Sequence, residues 1–563
     1  MNDFVDITEP LEVAKKWLEA DPDKNTRTET AELIENADGD LIARFSERLE
    51  FGTAGIRGPR GAGPMRMNRV MIRVVAKAIA SQLLNIKKEK SPLLAIVGFD
   101  SRHQSQIFAE DTVRVFASFG IKSLILPRPL PTPLLAHASL DLRADVGIMV
   151  TASHNPAADS GYKVYWSDGA QIASPVDIEI SEKIDYKNPP AKEELADFSD
   201  PLICRTNEEP VEKYVKFATQ TVSFNKSKSL SVVYTPIHGV GRDVFLEVFE
   251  KAGFEDLHVV EEQAEPDPDF PTVSFPNPEE KGVLDLAINL AEKMTSDLVI
   301  ANDPDADRLA VALPHYQKWR VLTGNEIGAL LAEHILKNGS GKERLVVTTI
   351  VSSRLLSEQA KFYGVKYVET LTGFKWIVRP GIEDDSLRFV FGFEEALGFA
   401  VRDSVLDKDG ITSALLFADL VAELKNKGRD VFDLLDDLWK RHGVHKTALS
   451  TYRLDNSQNS DLSVLDFLRK QPLFEIAEQE LLGVVDLNKP GSGFPITDGL
   501  VFKFKGGRVV FRPSGTEAKV KAYFEVKEIV MKDDVKAAEE VAERKIEELL
   551  DWVNSLFLTE EIS

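Results

Sequence analysis

The feature that most constrains the fold is a strand, loop and helix unit that occurs three times along the chain. The three units begin at LLAIVGFDSR, LSVVYTPIHGVGRD and ERLVVTTIVSSRLL, and their helical segments end at Gly120, Gly253 and Gly364. Glycine ends a helix readily because it adopts the left-handed conformation at little steric cost. Further strands follow in each unit, the last being ADVGIMVTASHNP, SDLVIANDPDADR and SLRFVFGFEEALG. The pattern predicts three α/β domains.

The C-terminal part has a different pattern. FKGGRVVFRPSGTEAKVKAYFEV predicts two strands around the tight turn at Pro513 and Ser514. The helical segment after it places apolar side chains on one face, namely Val535, Ala538, Ala542, Ile546, Leu549, Val553 and Leu556. We therefore expect a smaller α+β domain. The charged stretch 197–212 is expected to be a linker, with another boundary near 440–445.

Composition limits the classes of protein that this chain can belong to. Its 563 residues are 43% hydrophobic, enough for three or four domains with their own cores. The single cysteine, Cys204, excludes an intramolecular disulfide and a thiolate metal cluster. The formal net charge of −23 argues against nucleic acid, although a small anion could still bind where Arg and Lys are concentrated. No signal-peptide pattern or membrane-length apolar run occurs, so we expect a soluble, cytoplasmic protein with no membrane partner.

Three aspartates alternate where one predicted strand ends. Asp303, Asp305 and Asp307 lie in IANDPDADRLAV, so a modest turn can bring their carboxylates together. Two unit charges 4 Å apart repel by about 4 kcal/mol at an effective dielectric constant of 20. Such a cluster needs a cation or must bind protons, and oxygen ligands favour Mg²⁺ or Ca²⁺. An EF-hand is excluded because Arg308 and Pro314 occupy its glycine and glutamate positions; we favour a metal site over a solvated acidic turn.

Ser153 lies directly after another predicted strand and admits three interpretations. It could be a hydrolase nucleophile, a helix cap or a serine that carries phosphate. The GxSxG pattern is missing because Thr151 and Asn155 occupy the glycine positions. A cap for a helix beginning near Pro156 remains possible to this point. If Ser153 carried phosphate, a phosphate oxygen could become a fourth metal ligand.

Four motifs in order, TASHNP, DPDADR, GFEEALG and RPSGTE, resemble those of the α-D-phosphohexomutase superfamily. With the early FGTAGIRG, they look most similar to its phosphoglucomutase and phosphopentomutase branch. The resemblance implies three related α/β domains with mixed sheets and a C-terminal α+β domain. The expected limits are 1–215 for the phosphoserine domain, 216–322 for the metal domain, 323–440 for the sugar domain and 441–563 for the phosphate domain.

The resemblance also implies a mechanism. Ser153 would carry a phosphate beside Mg²⁺ held by that phosphate and by Asp303, Asp305 and Asp307. The phosphoryl group would pass to a sugar phosphate, and the resulting bisphosphate would turn end for end. The expected reaction interconverts α-D-glucose 1-phosphate and glucose 6-phosphate, with glucose 1,6-bisphosphate as activator and intermediate. Ribose or deoxyribose 1-phosphate is the second candidate substrate, and mannose 1-phosphate the third.

The remaining predicted residues surround these two centres. Arg57 and Lys163 would be counter-charges for the phosphoserine, and His154 and Lys163 are rival candidates for proton transfer. The FRPSGTEAKVK loop supplies cations and hydroxyls for the phosphate that does not react. The expected substrate-binding set is Thr53, Arg57, Ser153, Arg308, Thr372, Gly373, Lys375, Glu394, Lys408, Arg512, Ser514, Gly515, Thr516 and Lys519.

Two positions depart from the family pattern. Ala396 stands where many members have serine after the sugar-binding Glu394, which removes one hydrogen bond to the sugar. Pro304 stands where many have glycine, which stiffens the backbone but removes no ligand. Two other classes of protein stay open at this point. A metal-dependent phosphatase would release inorganic phosphate steadily, and a non-catalytic bisphosphate binder would never carry phosphate on Ser153.

Overall fold

The computed structural model of the chain divides into two compact units, each with its own core. Unit 1 comprises Met1–Leu322 and Leu397–Asp419, and unit 2 comprises Thr323–Ala396 and Leu420–Ser563. Within them the structure describes residues 7–50, 55–86, 92–191, 194–222, 228–453, 463–470, 475–513 and 519–558.

The first sheet of unit 1 is mixed and has the strand order β1-β5-β4-β2-β3-β6. Strands β2, β3, β4 and β6 run parallel, while β5 is antiparallel to both β4 and β1. The strands are β1 Ile56–Pro59, β2 Leu94–Phe99, β3 Lys122–Ile125, β4 Val146–Val150, β5 Asp159–Trp166 and β6 Ile203–Arg205. The helices are α1 Thr8–Ala20, α2 Lys24–Asn36, α3 Gly39–Phe45, α4 Arg69–Ile86, α5 Ser105–Ser118, α6 Thr132–Asp141, α7 Val176–Ser181 and α8 Glu209–Thr219.

The second sheet of unit 1 has the order β11-β10-β9-β7-β8, with β7, β8 and β9 parallel. Its strands are β7 Val232–Thr235, β8 Leu257–Val259, β9 Leu298–Ala301, β10 Ala310–His315 and β11 Lys318–Val321. Its helices are α9 Arg242–Lys251, α10 Glu261–Ala264 and α11 Asp285–Met294. In both sheets the central strands are buried, so continuous apolar runs form strands that are covered by helices.

Unit 2 begins with a parallel group in which β12 lies between β13 and β14. Its elements are α12 Gly324–Asn338, β12 Arg344–Thr349, α13 Leu355–Tyr363, β13 Lys366–Thr370, α14 Phe374–Ile377, α15 Arg379–Glu383 and β14 Arg388–Glu394. Strand β15, Gly398–Ala400, falls in unit 1, and α16, Gly410–Asn426, contains the division at residue 419. Thr323 and Glu326 form a capping box that begins α12.

The last sheet of unit 2 is antiparallel, with the order β16-β21-β20-β19-β18-β17. Its strands are β16 Val444–Arg453, β17 Glu475–Ile476, β18 Gln479–Asp486, β19 Leu500–Phe504, β20 Gly507–Pro513 and β21 Lys519–Glu528. The helices are α17 Val431–His442, α18 Ser463–Lys470 and α19 Val535–Leu558. Six of the seven apolar residues predicted for one face of α19 are buried, and Leu556 is half-buried.

The predicted fold class is confirmed by these three α/β groups and the α+β group that follows. The predicted glycine stops after α5, α9 and α13 all have positive φ, at +75° for Gly120, +89° for Gly253 and +64° for Gly364. The linker predicted at 197–212 is wrong in part, because β6 lies within it and pairs with β3. Among the described residues, no helix is both long enough and apolar enough to cross a membrane.

Candidate functional site

The three aspartates form one buried cluster at the carboxyl end of β9. Asp303, Asp305 and Asp307 are at most 1% exposed, and one oxygen from each lies within 4.8 Å of the others. The turn is held from inside, because Asp303 Oδ1 accepts hydrogen bonds from Asp307 N at 3.1 Å and Arg308 N at 3.0 Å. Gly239 allows the close packing, since a Cβ there would lie 2.4 Å from Pro304 Cα.

Ser153 follows β4 and points at this cluster. Its Oγ donates to Asp303 Oδ2 at 2.7 Å, and His154 Nδ1 lies 3.2 Å from the same Oγ. Ser153 has φ of +52°, a left-handed conformation that costs a residue with Cβ roughly 1–2 kcal/mol. The residues that follow form turns leading into β5 at Asp159, so Ser153 caps no helix in this part of the chain.

Lys163 supplies the positive charge that offsets two of the aspartates. It lies on β5 opposite Met149 of β4, and its Nζ donates to Asp305 Oδ2 and Asp307 Oδ2, both at 2.7 Å. Burial alone would lower the pKa of Lys163, but the two carboxylates raise it above its ordinary value. Lys163 is therefore a buried ammonium at neutral pH.

The pKa values of Asp303 and Asp305 are shifted in opposite directions. Burial and the charges of Asp305 and Asp307 raise the pKa of Asp303 well above its ordinary value. Burial would also raise the pKa of Asp305, but its ion pair with Lys163 outweighs burial and lowers it. A further cation beside the third carboxylate would favour its charged form and so oppose this rise in pKa.

The residues present fit a hard metal ion. Asp305 Oδ1 and Asp307 Oδ1 are buried and accept no hydrogen bond from any residue that the structure describes. Unpaired buried carboxylate oxygens are costly, and an oxygen-only set of this kind suits a divalent cation. An oxygen of Asp303 would complete a set of three for such an ion, because one carboxylate oxygen from each aspartate lies within 4.8 Å of the others.

His154 and the predicted arginines line the same loop. Burial, together with the charges of Arg308 and Arg57, holds the pKa of His154 well below its usual range, so its imidazole is neutral. The Phe275 ring meets His154 edge-on, with ring centroids 6.0 Å apart. Arg57 Nη1 donates to Asn155 Oδ1 at 3.4 Å, which places this predicted counter-charge at the serine loop.

Lys408 reaches the cluster from the LDKDG loop, with Nζ 3.3 Å from Asp307 Oδ2. The preceding residue anchors that loop, because Asp407 Oδ2 accepts from Tyr165 Oη at 2.5 Å and from Gln171 Nε2 at 2.6 Å. The family pattern predicted Lys408 as a substrate-binding residue, and the structure places it beside the aspartates within unit 1.

The other predicted residues, apart from Thr53, belong to unit 2. Glu394, at the end of β14, accepts a hydrogen bond from Gly373 N at 2.6 Å, which joins the two predicted sugar-binding segments. Lys375 is buried, whereas Thr372 is half-buried. Arg512 on β20 and Lys519 on β21 flank the predicted phosphate loop. Thr53, Ser514, Gly515 and Thr516 lie outside the described residues.

The sequence did not predict three residues whose hydrogen bonds support this site. Thr132 Oγ1 donates to Asp305 Oδ2 at 2.5 Å, Asp407 anchors the Lys408 loop, and Arg102 binds carbonyl oxygens of the serine loop. Only Arg102 carried a usable signal, because FDSR follows the first predicted strand of its unit, where ligand-binding loops gather.

Comparison with known families agrees with this geometry. Models of the phosphoglucomutase/phosphomannomutase family match four consecutive parts of the chain. These are α/β/α domain I at residues 48–190, domain II at 212–316, domain III at 323–442 and the C-terminal domain at 470–544.

Individual relatives cover most of the chain. A probable phosphomannomutase of Haemophilus influenzae is 42% identical, with 82% of this chain and 93% of the relative covered. A phosphoribomutase of Saccharomyces cerevisiae is 36% identical over 82% of this chain and 79% of its own length.

A solved structure shows the same fold. The crystal structure of a putative phosphomannomutase from Thermus thermophilus has a TM-score of 0.67 and 23% identity, covering 89% of this chain and 99% of its own. The chain therefore belongs to the phosphoglucomutase/phosphomannomutase family of the α-D-phosphohexomutase superfamily, and is a phosphosugar mutase.

Proposed function

We propose that this mutase moves a phosphoryl group between two oxygens of one sugar phosphate by way of Ser153. The observation that carries the proposal is the 2.7 Å hydrogen bond between Ser153 Oγ and Asp303 in the buried aspartate cluster. A serine hydroxyl that only capped a helix or a turn would not need three buried carboxylates beside it.

Mg²⁺ is the proposed metal, held by Asp303, Asp305, Asp307 and a phosphate oxygen on Ser153. When bound, it would withdraw electron density from the phosphoryl oxygens and offset the charge of the transition state. The unpaired oxygens of Asp305 and Asp307 support this assignment. Lys163 and Lys408 reduce the repulsion that an incoming anion would meet at this cluster.

The transfer itself requires one base. A free sugar hydroxyl forms a bond to phosphorus while the bond from phosphorus to Ser153 Oγ breaks, and the hydroxyl proton must leave. We assign this proton to His154 rather than Lys163, because the imidazole is neutral and Lys163 is a charged donor to two carboxylates. Arg57 would then compensate the phosphate charge.

The proposed substrate is α-D-glucose 1-phosphate, converted to glucose 6-phosphate with glucose 1,6-bisphosphate as activator. A phosphopentomutase acting on ribose or deoxyribose 1-phosphate is the second candidate, supported by the phosphoribomutase relative. A phosphomannomutase is the third, supported by the Haemophilus influenzae relative. Ala396 bears on this choice because it lacks the hydroxyl that many family members offer to a hexose.

Several further assignments stay predictions. These are the domain limits at residues 215, 322 and 440, sugar phosphates as the partners, the absence of nucleic acid and membrane partners, and a cytoplasmic location. The remaining predicted substrate residues, among them Glu394, Arg512 and Lys519, likewise keep their proposed roles.

The test measures turnover on glucose 1-phosphate, ribose 1-phosphate and mannose 1-phosphate, each with Mg²⁺ and glucose 1,6-bisphosphate. We expect glucose 1-phosphate to be used best; a strong preference for ribose 1-phosphate would overturn that order. Intact mass should rise by roughly 80 Da for one phosphoryl group after incubation with the bisphosphate.

Two serine variants make the mass measurement specific. Ser153→Ala should abolish both the mass gain and turnover, whereas Ser160→Ala, at another buried serine seven residues on, should keep both. Steady release of inorganic phosphate would indicate a phosphatase instead. Binding of the bisphosphate with no mass gain would indicate a non-catalytic binder.

A further inference from the structure

One buried arginine donates hydrogen bonds to the backbone of the serine loop, residues 151–159. Arg102 is 4% exposed, and its Nη2 donates to the carbonyl oxygens of Ser153 at 2.6 Å and Asn155 at 2.5 Å. Its Nη1 donates to the carbonyl oxygens of Pro156 at 2.8 Å and Asp159 at 3.4 Å. We propose that Arg102 is a positioning residue that fixes the Ser153 hydroxyl for phosphoryl transfer; this inference rests on the proposed function.

The loop's own hydrogen bonds include Asp159 N to the Pro156 carbonyl at 3.0 Å and Asn155 Nδ2 to Asp159 Oδ2 at 2.9 Å, but neither bond involves Ser153. Ser153 N donates to Thr151 Oγ1 at 2.9 Å and Asn155 N donates to the Ala152 carbonyl at 3.0 Å. Ser153 has a left-handed φ, and its carbonyl and that of Asn155 both accept from the same guanidinium nitrogen. Without Arg102, the buried Ser153 carbonyl and the part-buried Asn155 carbonyl would lose this partner. A strained conformation persists only where its surroundings determine it.

Arg102 is itself held on two sides. Its Nε lies 3.5 Å from Asp100 Oδ2, and its backbone N donates to Asp100 Oδ1 at 3.0 Å. Asp100 also accepts from Ser105 Oγ at 2.6 Å. The guanidinium carbon lies 4.8 Å from the centre of the Phe270 ring. The guanidinium N–H groups of Arg102, which form a donor fork, therefore have a fixed position relative to β2. Their hydrogen bonds fix the backbone of Ser153 relative to the same strand.

A lysine could not replace this fork. The guanidinium is planar and offers several N–H donors in a fixed arrangement, whereas an ammonium is a point charge on a flexible stem. Arg102→Lys therefore keeps the charge but cannot bind the four carbonyl oxygens together. Since a displacement of about 1 Å at a reacting group can lower the rate on the order of 100-fold, loss of the fork should act on the chemical step.

The experiment compares Arg102→Lys and Arg102→Gln with wild type, each with Mg²⁺ and glucose 1,6-bisphosphate, on the sugar phosphate that wild type uses best. We expect kcat to fall on the order of 100-fold while KM stays within about 3-fold, since Arg102 acts only on the placement of Ser153. The fraction of turnovers that release inorganic phosphate should rise, because a displaced phosphoserine is poorly aligned with the sugar hydroxyl. Hydrolysis by water then competes better with transfer to the sugar.

Arg60→Gln is the matched control. Arg60 Nη1 donates to the carbonyl oxygens of Ala157 at 2.9 Å and Asp159 at 3.2 Å, so it binds the same loop but not Ser153 or Asn155. Its kcat should stay within about 3-fold of wild type. An equal loss in Arg60→Gln, or a wild-type kcat and phosphate release in Arg102→Lys, would overturn the inference.

Three further outcomes are decisive. If Arg102→Lys melts below the assay temperature, Arg102 is a structural residue and not a positioning one. If wild type gains no phosphoryl group on Ser153, the proposed function fails whatever the variants do. If wild type gains the group and turns over normally while Arg102→Lys matches it, only the present inference fails.

Discussion

Lys163 is the residue on which the balance of charge in the aspartate cluster depends. Its ammonium is fully buried and bonded to Asp305 and Asp307, so its removal leaves three buried carboxylates with reduced compensation. Breaking a buried ion pair by removing one partner typically costs about 3–5 kcal/mol. We expect Lys163→Met to lower the free energy of unfolding by that amount without metal, and Mg²⁺ to restore part of it. Denaturant unfolding with and without Mg²⁺ measures both effects.

Lys228→Met is the control for this prediction. Lys228 is also buried, and its Nζ lies 3.0 Å from Asp419 Oδ1, in an ion pair that does not involve the aspartate cluster. Its substitution should destabilise the protein, but Mg²⁺ should restore nothing beyond its effect on wild type. Equal rescue of both variants would mean that the ion does not bind where Lys163 contacts the aspartates.

Ala396 gives a second prediction at the residue scale. It is half-buried directly after Glu394 and Glu395, and serine is common there in the family that the motifs resemble. One hydrogen bond contributes about 0.5–1.5 kcal/mol. Ala396→Ser should therefore raise kcat/KM for glucose 1-phosphate relative to ribose 1-phosphate by roughly 2- to 10-fold. An unchanged ratio would show that this position does not contribute to sugar preference.

The residues of the cluster differed in how far the sequence could predict them. Asp303, Asp305 and Asp307 alternate at a strand end, and that local pattern was enough to predict their proximity. The ion pair of Lys163 with two of them depends on the pairing of β4 with β5, which no local pattern specifies. Thr132 was also missed, because a lone threonine at the first position of a helix indicates only a helix start.

At the scale of elements, one carboxylate joins β21, β20, β16 and the segment before α13. Glu525 accepts from Arg354 N at 2.6 Å, Ser353 Oγ at 3.1 Å and His445 Nδ1 at 3.0 Å, and Arg508 Nε lies 3.2 Å away. Burial alone would raise the pKa of Glu525, but His445 and Arg508 outweigh burial and hold it well below its usual range. This network stabilises unit 2 as long as Glu525 is ionised.

The sign of the pH dependence follows from that lowered pKa. At pH values between the folded and unfolded pKa of Glu525, only the unfolded chain binds the proton, so stability rises with pH. The contribution is complete above about pH 4.3, the unfolded value, and is lost as the pH falls towards the folded value. Glu525→Gln should lower stability at pH 7 by about 3–5 kcal/mol and show a shallower decline in acid.

Urea unfolding between pH 3.5 and 7 tests this prediction. Glu528→Gln is the control on the same strand, because Glu528 pairs with Lys545 near the surface and such pairs contribute about 0–1 kcal/mol. A parallel acid decline in wild type and Glu525→Gln would contradict the assignment.

Elements were predicted where a periodic pattern was long enough. The helices α5, α9 and α13 have apolar faces and glycine stops, and the strands before them are continuous apolar runs, so local sequence sufficed. Strand β6 has three residues, too few to show any period, and forms because β3 offers it an edge. The antiparallel direction of β5 is set by pairing across the sheet.

At the scale of the whole molecule, the net charge is negative, whereas cationic side chains are concentrated at the site. The chain carries a formal net charge of −23, yet Arg57, Lys163, Arg308 and Lys408 gather near Ser153. An anionic sugar phosphate is therefore repelled by the general field and attracted locally. The composition predicted this need for local cations, and the family motifs supplied candidate residues.

The division into two units gives the last prediction. A ligand that binds only the native state stabilises it by RT ln(1 + [L]/Kd), about 2.7 kcal/mol at 100 times Kd, and slows exchange of amides that require unfolding by roughly 100-fold. Since the aspartate cluster lies wholly in unit 1, Mg²⁺ should protect β2, β4 and β9 but leave β20 and β21 unchanged. Hydrogen exchange read by mass spectrometry measures this, with Asp305→Asn as the variant that should lose the protection. Equal protection of both units would show that the chain unfolds as one cooperative body, and no protection in either would exclude Mg²⁺ binding at the aspartates.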